Sequence, residues 1–284
     1  MVKINQNAKR GEELNQLSRL LFDNAAIKWY LAFILDLVVG GVSAIFALIN
    51  GVPDNIKLAS ACLTVVLAIV AYILRQKFES QYDMAETMRR QSVLTEGLGY
   101  PIKILMFSEW SRRAGRKIRR KFKLVERNVD YYVTKKKPSP SRLLEMTQES
   151  AFWTRFLYSR LLELSWIILI LFILIVTVVI MSLLLGTAPN SIKPTLSYAV
   201  FLIIPILITT NVIGWILKLK RLILSISEIE ANIESLLEMT QPDEASVLRL
   251  VFEYNCQVVA GFPIPNFIFN SEYNKIQDEW NRLH

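Results

Sequence analysis

The chain has 284 residues, of which 52% are hydrophobic, and it carries a formal net charge of +8. Its only histidine is the last residue, His284, which excludes most hydrolase mechanisms because a frayed terminal imidazole makes a poor general base or metal ligand. The sequence shows neither a phosphate-cradling glycine loop nor a metal-ligand cluster, so we expect no enzymatic activity, no cofactor and no metal.

Four apolar runs organise the chain, and nearly all charges lie between them. The run 30–49 carries one charge, Asp36, and the run 56–74 carries only Lys57 at its edge. The runs 164–185 and 195–217 carry no charge. A stretch of about 20 apolar residues spans a hydrocarbon core about 30 Å thick, so the pattern predicts four transmembrane helices.

The predicted helices pair into two hairpins through the short turns 50–55 and 186–194, which contain Gly, Pro and Asn. The region between the hairpins, 75–163, holds 20 Lys or Arg against 10 Asp or Glu. By the positive-inside rule this region and both termini are cytoplasmic. Cys256 is then cytoplasmic too, and because thiols in that compartment are kept reduced we expect no structural disulfide between Cys256 and Cys62.

The predicted fold class is an all-α membrane protein with a helical cytoplasmic domain built from the central insertion and the C-terminal tail. The predicted order is an N-terminal cytoplasmic helix (1–29), the first hairpin (30–74), a basic helical region (75–163), the second hairpin (164–217), and a heptad helix with the tail (218–284).

Apolar seams with heptad spacing predict helices in the cytoplasmic segments. Such seams pack against other helices, either within the chain or between subunits. We expect the second seam to act in oligomerisation, because it continues directly from the fourth span. The first seam consists of Ile118, Phe122, Val125, Val129 and Tyr132. The second consists of Leu219, Leu222, Ile226, Ile229, Ile233 and Leu236.

Shorter patterns place the remaining helices and their ends. Gly97, Gly99 and Pro101 predict the end of the helix that leaves the second span. The polar, proline-bearing stretch 135–141 predicts a turn before the helix that enters the third span. Val247, Val251, Tyr254 and Val258 predict one more helix, ahead of a turn at Gly261.

A basic stretch in the central region is the first candidate site. Between Arg112 and Arg127 there are nine Lys or Arg and one acid, Glu126. Such a patch attracts phosphates, and flanking aromatic side chains could stack on bases. Two other interpretations stay open, a helix lying on anionic lipid headgroups and a surface for bulk nucleic acid. The candidate phosphate- or nucleotide-binding residues are Arg112, Arg113, Arg116, Lys117, Arg119, Arg120, Lys123, Tyr131 and Tyr132.

Polar residues inside the predicted spans are the second candidate. Asp36 and Asn211 each lie six residues from the cytoplasmic end of their spans, so both lie about 9 Å deep. A carboxylate at such depth normally faces a bundle interior or water. We therefore expect Asp36, Ser43, Thr210 and Asn211 to line a pore. The alternative is a buried polar contact, or snorkelling of Asp36 towards the interface.

Three short segments resemble a known family: RQSVLTE at 90–96, ESAFWT at 149–154 and PIPNFIF at 263–269. Together with the two hairpins, they resemble the SMODS-associated four-transmembrane effector family of bacteria. The resemblance implies an inner-membrane effector of cyclic-oligonucleotide anti-phage signalling (CBASS). A partner nucleotidyltransferase would make a cyclic di- or trinucleotide on infection. The effector would bind it and permeabilise the membrane in an abortive infection. One departure is Phe267, where the family pattern leads us to expect Trp.

Two functions therefore stand at this point. The first is a cyclic-oligonucleotide-gated, pore-forming homo-oligomer in the bilayer, which unites the basic stretch, the polar span positions and the second seam. The second is a non-conducting membrane scaffold that binds proteins or anionic lipids, which needs only the topology, the basic helix and the seams.

Overall fold

The computed structural model describes residues 2–48, 53–124, 132–185, 212–261 and 263–283, and these are all-helical with no strand among them. The described helices are α1 (Val2–Leu48), α2 (Asp54–Leu98), α3 (Ile104–Arg113), α4 (Gly115–Leu124), α5 (Pro140–Leu184), α6 (Val212–Leu237), α7 (Glu244–Val259) and α8 (Asn266–Leu283).

The helix ends follow local sequence signals. Helix α2 ends at Leu98, and Gly99 directly after it adopts a left-handed φ of +78°, which glycine tolerates without a Cβ clash. A second left-handed glycine, Gly115 with φ +86°, is the first residue of α4 and changes the chain direction after α3. At the start of α7 the Asp243 side chain accepts a hydrogen bond from the Ser246 amide. The predicted break after the second span, the turn before α5 and the helix before Gly261 are thus confirmed.

The chain divides into two compact units. The first unit comprises Met1–Ile27, Phe78–Arg160 and Leu219–His284, and the second comprises Lys28–Lys77 and Leu161–Lys218. Each boundary falls inside a helix, successively α1, α2, α5 and α6. The boundaries lie within a few residues of those between the predicted hairpins and the predicted cytoplasmic segments. The side of a membrane on which the first unit lies stays a prediction.

An apolar core joins the first four helices within the first unit. Leu14, Leu17 and Leu21 repeat at helical spacing on α1 and are almost completely buried. Each such leucine contributes about 1.5–3 kcal/mol by leaving water. Helix α4 joins this core through Ile118, so its charged residues point outwards. The buried members are Leu14, Leu17, Leu21, Ala85, Met88, Ile102, Trp110, Ala114 and Ile118.

The second predicted seam is buried inside the single chain. Its members lie on α6, and those from Leu219 to Ile233 are each at most 5% exposed. Helix α6 also contacts α5 through an ion pair, with Arg155 Nε 2.6 Å from Glu230 Oε2. The seam therefore packs within the first unit. A role for it in assembly between subunits stays a prediction.

The second unit exposes much of its apolar surface. Among the described residues two helices are long and apolar enough to cross a membrane, Asn55–Leu98 and Pro140–Val178. Only 6% of the apolar window of each is buried, whereas the core helix of a soluble protein would be mostly buried. These helices contain the second and third predicted spans. The first predicted span is helical as far as Leu48 in α1, and most of the fourth lies outside the described residues.

Candidate ligand-binding cavity

The first unit contains a cavity of about 580 Å³, within the 300–1,000 Å³ typical of small-molecule sites. Its wall is built by α1, α2, α5, α7 and α8, with Tyr132 and the 263–264 segment completing it. Because five helices contribute to the wall, the cavity exists only when the first unit is folded.

Aromatic side chains make up much of the wall, and three of them form an open cluster at the α5–α8 contact. We call Trp153, Phe269 and Tyr273 the three-ring cluster. The Trp153 ring centroid lies 5.4 Å from that of Tyr273 and 5.9 Å from that of Phe269. Phe269 and Tyr273 are 37% and 44% exposed, so these rings can still receive a flat ligand. The aromatic lining residues are Phe22, Tyr82, Tyr132, Trp153, Tyr158, Tyr254, Phe269 and Tyr273.

Charged side chains line the same cavity. Arg89, on α2, is anchored by donating from Nη2 to Glu86 Oε2 at 3.0 Å and to Asn255 Oδ1 at 2.8 Å. Its guanidinium carbon lies 5.9 Å from the centroid of the Tyr254 ring. Burial acts to lower the pKa of Arg89, but the charges of Glu86 and Tyr254 and the hydrogen bond to Glu86 raise it above its ordinary value, so the guanidinium stays charged. The charged lining residues are Glu12, Arg19, Asp23, Glu86, Arg89, Glu96 and Glu149.

A hydrogen-bonded chain fixes the wall between α5 and α7. The Thr154 hydroxyl donates to the Ser150 carbonyl oxygen at 2.7 Å. Thr154 Oγ1 also lies 2.9 Å from Tyr254 Oη, and the Tyr254 hydroxyl is the donor because the Thr154 proton is already engaged. Together with Arg89 and Asn255, these residues link α2, α5 and α7 along one side of the cavity.

Three carboxyl groups on the wall have raised pKa values, and burial is the main cause in each case. The pKa of Glu149 rises to about 7, opposed only by a hydrogen bond from the Val133 amide. Burial also raises the pKa of Glu96, against a lowering hydrogen bond with Ser92. The pKa of Asp23 is raised by burial against the charges of Arg19 and Lys121. Because the pKa of Glu149 lies near 7, this carboxyl is partly protonated at neutral pH, and the cavity then holds less negative charge than its carboxyl count indicates.

Gly261 lies between α7 and α8, beside Tyr158 of the cavity wall. A Cβ at Gly261 would lie 2.0 Å from Tyr158 Oη and 2.9 Å from Tyr158 Cζ. Tyr158 is almost fully buried and lines the cavity, so it has little space to move away. Only glycine fits at this position.

The three segments that carry the family resemblance meet at this cavity. The first contributes Glu96, the second contributes Glu149 and Trp153 among others, and the third contributes Asn266 and Phe269. These segments are far apart in the chain, and their convergence is a property of the fold. In the described residues no group of three His, Cys, Asp or Glu side chains is arranged to hold a metal ion.

The predicted basic residues lie mostly outside the cavity. Tyr132 lines it, whereas Tyr131 falls outside the described residues. Arg113 Nη2 contacts Glu109 Oε1 at 2.5 Å on α3. Lys121 of α4 lies close enough to Asp23 to lower its pKa, so the basic helix lies near the α1 side of the cavity. The predicted cations that are exposed on α3 and α4 and do not line the cavity are Arg112, Arg113, Arg116, Lys117, Arg119, Arg120 and Lys123.

Among the predicted pore-lining residues, the structure describes the side chain of Asp36, which lies in the second unit. Asp36 forms an ion pair with Arg75, a partner that the sequence pattern did not predict. Ser43 lies in α1 but its side chain is outside the described part of the structure, as are Thr210 and Asn211. Nearby, the Trp29 ring lies 5.6 Å from Trp215, which brings α1 and α6 together in this unit. Pore lining by the four predicted residues stays a prediction.

Sequence reasoning did not assign a role to Arg89, Glu149, Trp153 or Tyr273. A usable signal was present, because Glu149 and Trp153 are four residues apart and share one helix face within a resembling segment. Comparison of the chain with protein-family models, curated proteins and solved structures finds no match. Membership of the four-transmembrane effector family stays a prediction.

Proposed function

We propose that this protein is a ligand-gated, pore-forming membrane effector whose first unit binds a cyclic oligonucleotide in the 580 Å³ cavity. The observation that carries the proposal is the convergence of the three family-like segments on that cavity. The proposal moves the ligand site from the exposed basic stretch to the cavity, with Tyr132 common to both.

The lining chemistry suits a ligand that combines flat bases with phosphates. The three-ring cluster offers faces on which bases stack, an interaction that contributes about 1–3 kcal/mol per base. Arg89 and Arg19 place positively charged guanidinium groups on the wall, and such groups attract phosphate oxygens.

The second unit is the membrane part in this proposal. Its exposed apolar helices would face lipid, and four spans would arise from α1, α2, α5 and the segment that ends in α6. Trp29 and Trp215 have the amphipathic rings typical of the interfacial belt. Both termini and the first unit would face the cytoplasm of a bacterium, at its inner membrane. Four helices per chain enclose no wide pore, so several copies would assemble around it.

Gating would require the ligand to favour the open state by differential affinity. A shift from 1% to 99% open needs about 5.5 kcal/mol, which several sites in an oligomer can share. The helices α1, α2, α5 and α6 each contribute residues to both units, so a change in their packing around the cavity has a covalent route into the second unit.

The test is dye release from vesicles of phosphatidylethanolamine and phosphatidylglycerol that contain the purified protein. Cyclic di- and trinucleotides are added one at a time to the native chain and to three variants. Trp153→Ala removes a cavity ring, and Arg116→Glu/Arg119→Glu/Arg120→Glu reverses the exposed basic face. Phe252→Ala, an exposed aromatic outside the cavity lining, is the matched control.

We expect release with one nucleotide, its loss in Trp153→Ala, and its retention in Phe252→Ala and the triple variant. Loss only in the triple variant would return the ligand site to the basic stretch. If the native chain binds a nucleotide but neither it nor any variant releases dye, the result would favour the non-conducting scaffold. In the conducting case, Asp36→Ala should reduce release without lowering the amount of folded protein, because it removes a carboxylate from the proposed pore lining and leaves its partner Arg75 unpaired.

A further inference from the structure

Glu149 is a buried carboxylate that faces the cavity without a counter-charge. Glu149 is only 7% exposed, and one of its carboxyl oxygens, Oε2, accepts a hydrogen bond from the Val133 amide at 3.1 Å. No lysine or arginine in the described part of the chain forms an ion pair with it, unlike Glu86, which pairs with Arg89. A buried carboxylate is costly unless hydrogen-bond donors satisfy it, so its free capacity is a place for donors from a ligand.

A stacking surface lies one helical turn away from this carboxylate. Glu149 and Trp153 are four residues apart on α5, and such pairs share one helix face about 5–6 Å apart at Cβ. Trp153 is packed against Phe269 and Tyr273 of α8, both still accessible. The wall therefore presents an aromatic face beside an acceptor, which is the pair of groups that a flat heterocycle with N–H donors on one edge requires.

From this juxtaposition we propose that Glu149 and the three-ring cluster form a guanine-reading subsite. The guanine ring stacks on the cluster, and the Glu149 carboxylate accepts its adjacent N1–H and N2–H donors. This inference rests on the proposed function, which it deepens by naming the base that the ligand must contain.

The other common bases fit the carboxylate less well. Adenine offers an N6–H donor beside the N1 lone pair, and that lone pair would face a carboxylate oxygen. Uracil offers a single N3–H donor flanked by two carbonyl oxygens. Guanine alone presents two adjacent donors on its Watson–Crick edge, which a carboxylate can accept together.

The test measures binding by isothermal titration to the full-length protein in detergent at pH 8.0. At that pH most Glu149 is ionised, since burial raises its pKa to about 7. The probes are 3′,3′-cyclic diguanylate, 3′,3′-cyclic diadenylate, 3′,3′-cyclic diuridylate and the mixed 3′,3′-cyclic guanylate–adenylate. They share ring size and linkage, so only the bases differ. The control variant is Glu145→Gln, one turn earlier on α5, where the carboxylate is engaged by Thr134 and Lys136 outside the cavity.

We expect a guanine-containing probe to bind at least ten-fold more tightly than the diadenylate and the diuridylate. Glu149→Gln should remove most of that preference, because a glutamine amide presents one donor and one acceptor, the pattern that matches adenine. A shift of preference towards adenine would distinguish base reading from a structural role. Glu145→Gln should bind like the native chain.

Equal or tighter binding of the diadenylate or diuridylate by the native chain would overturn the guanine subsite and leave the proposed function standing. An unchanged guanine preference in Glu149→Gln would do the same. Absence of binding by all four probes would overturn both the subsite and the cyclic-dinucleotide form of the proposed function.

Discussion

Replacing Glu149 by glutamine should make the folded protein more stable at alkaline pH, although it weakens the ligand site. Burial raises the pKa of Glu149 from 4.5 to about 7, so the folded state holds this proton more tightly than the unfolded state does. The stability that the protonated carboxyl provides is complete below pH 4.5. This stability is lost as the pH rises from about 4.5 through about 7. Over that range the carboxyl ionises freely in the unfolded chain, whereas ionisation in the folded protein costs free energy because the group is buried.

The size of the effect follows from the two pKa values. Their difference corresponds to about 3 kcal/mol, and roughly 2.5 kcal/mol of this is lost between pH 5 and pH 8. For a folded unit of 150–250 residues that free energy amounts to roughly 5–10 °C in Tm. Glutamine has nearly the same shape and does not ionise, so its variant should escape this loss.

The assay is thermal unfolding of both proteins in detergent at half-unit steps from pH 5 to pH 8, followed by intrinsic tryptophan fluorescence. The quantity that matters is the Tm of Glu149→Gln minus that of the native chain, because other titrating groups contribute to both. This difference should grow by several degrees towards pH 8. Glu228→Gln, which removes an exposed carboxylate, serves as the control and should show a constant difference. A difference for Glu149→Gln that stays within about 1 °C over the whole range would refute the reasoning.

Three further predictions concern other parts of the chain. Gly261→Ala should lower stability by about 1–3 kcal/mol and weaken nucleotide binding, because its Cβ would collide with Tyr158. Denaturant unfolding of the double variant Gly261→Ala/Tyr158→Phe, which lacks the nearest clashing atom, should show that part of this stability returns. If no stability returns, the collision is not the cause. Arg155→Met should lower the Tm at pH 7.5 more than Glu230→Gln does, because Arg155→Met leaves the Glu230 carboxylate without its partner. Burial already raises the pKa of Glu230, so this unpaired charge is costly. Equal Tm values for the two variants would contradict this. A membrane-impermeant maleimide should label the exposed thiol of Cys256 in inside-out vesicles only, with Cys256→Ser as the blank, and labelling from the other face would reverse the proposed topology.

Much of the secondary structure followed from local patterns. The heptad spacing from Leu219 to Leu236 predicted helix α6, and Gly99 with Pro101 predicted the end of α2, since helical periodicity and glycine conformation act over a few residues. The sequence could not tell whether the α6 seam packs within the chain or against another subunit. Burial of Ile226 and Ile233 inside the first unit shows that the chain itself covers them.

The candidate site was harder to predict. A run of cations such as Arg112–Arg127 stands out in a sequence because its members are consecutive, yet those described on α3 and α4 lie on exposed faces. The cavity is built from residues scattered over five helices, and each of them alone looks like an ordinary helical side chain. The pairing of Asp36 with Arg75 was missed for the same reason, because it joins two helices across 39 residues.

The sequence by itself determined the apolar runs, the excess of basic residues between them, the helical periodicities and the positions where helices stop. These properties depend on composition and on contacts over one or two helical turns. Only the tertiary structure decided that the three family-like segments share one cavity, that Glu149 is buried there without a cation, and that the α6 seam is covered by its own chain. Burial, desolvation and pairing depend on which distant residues become neighbours, and that is fixed when the helices pack together.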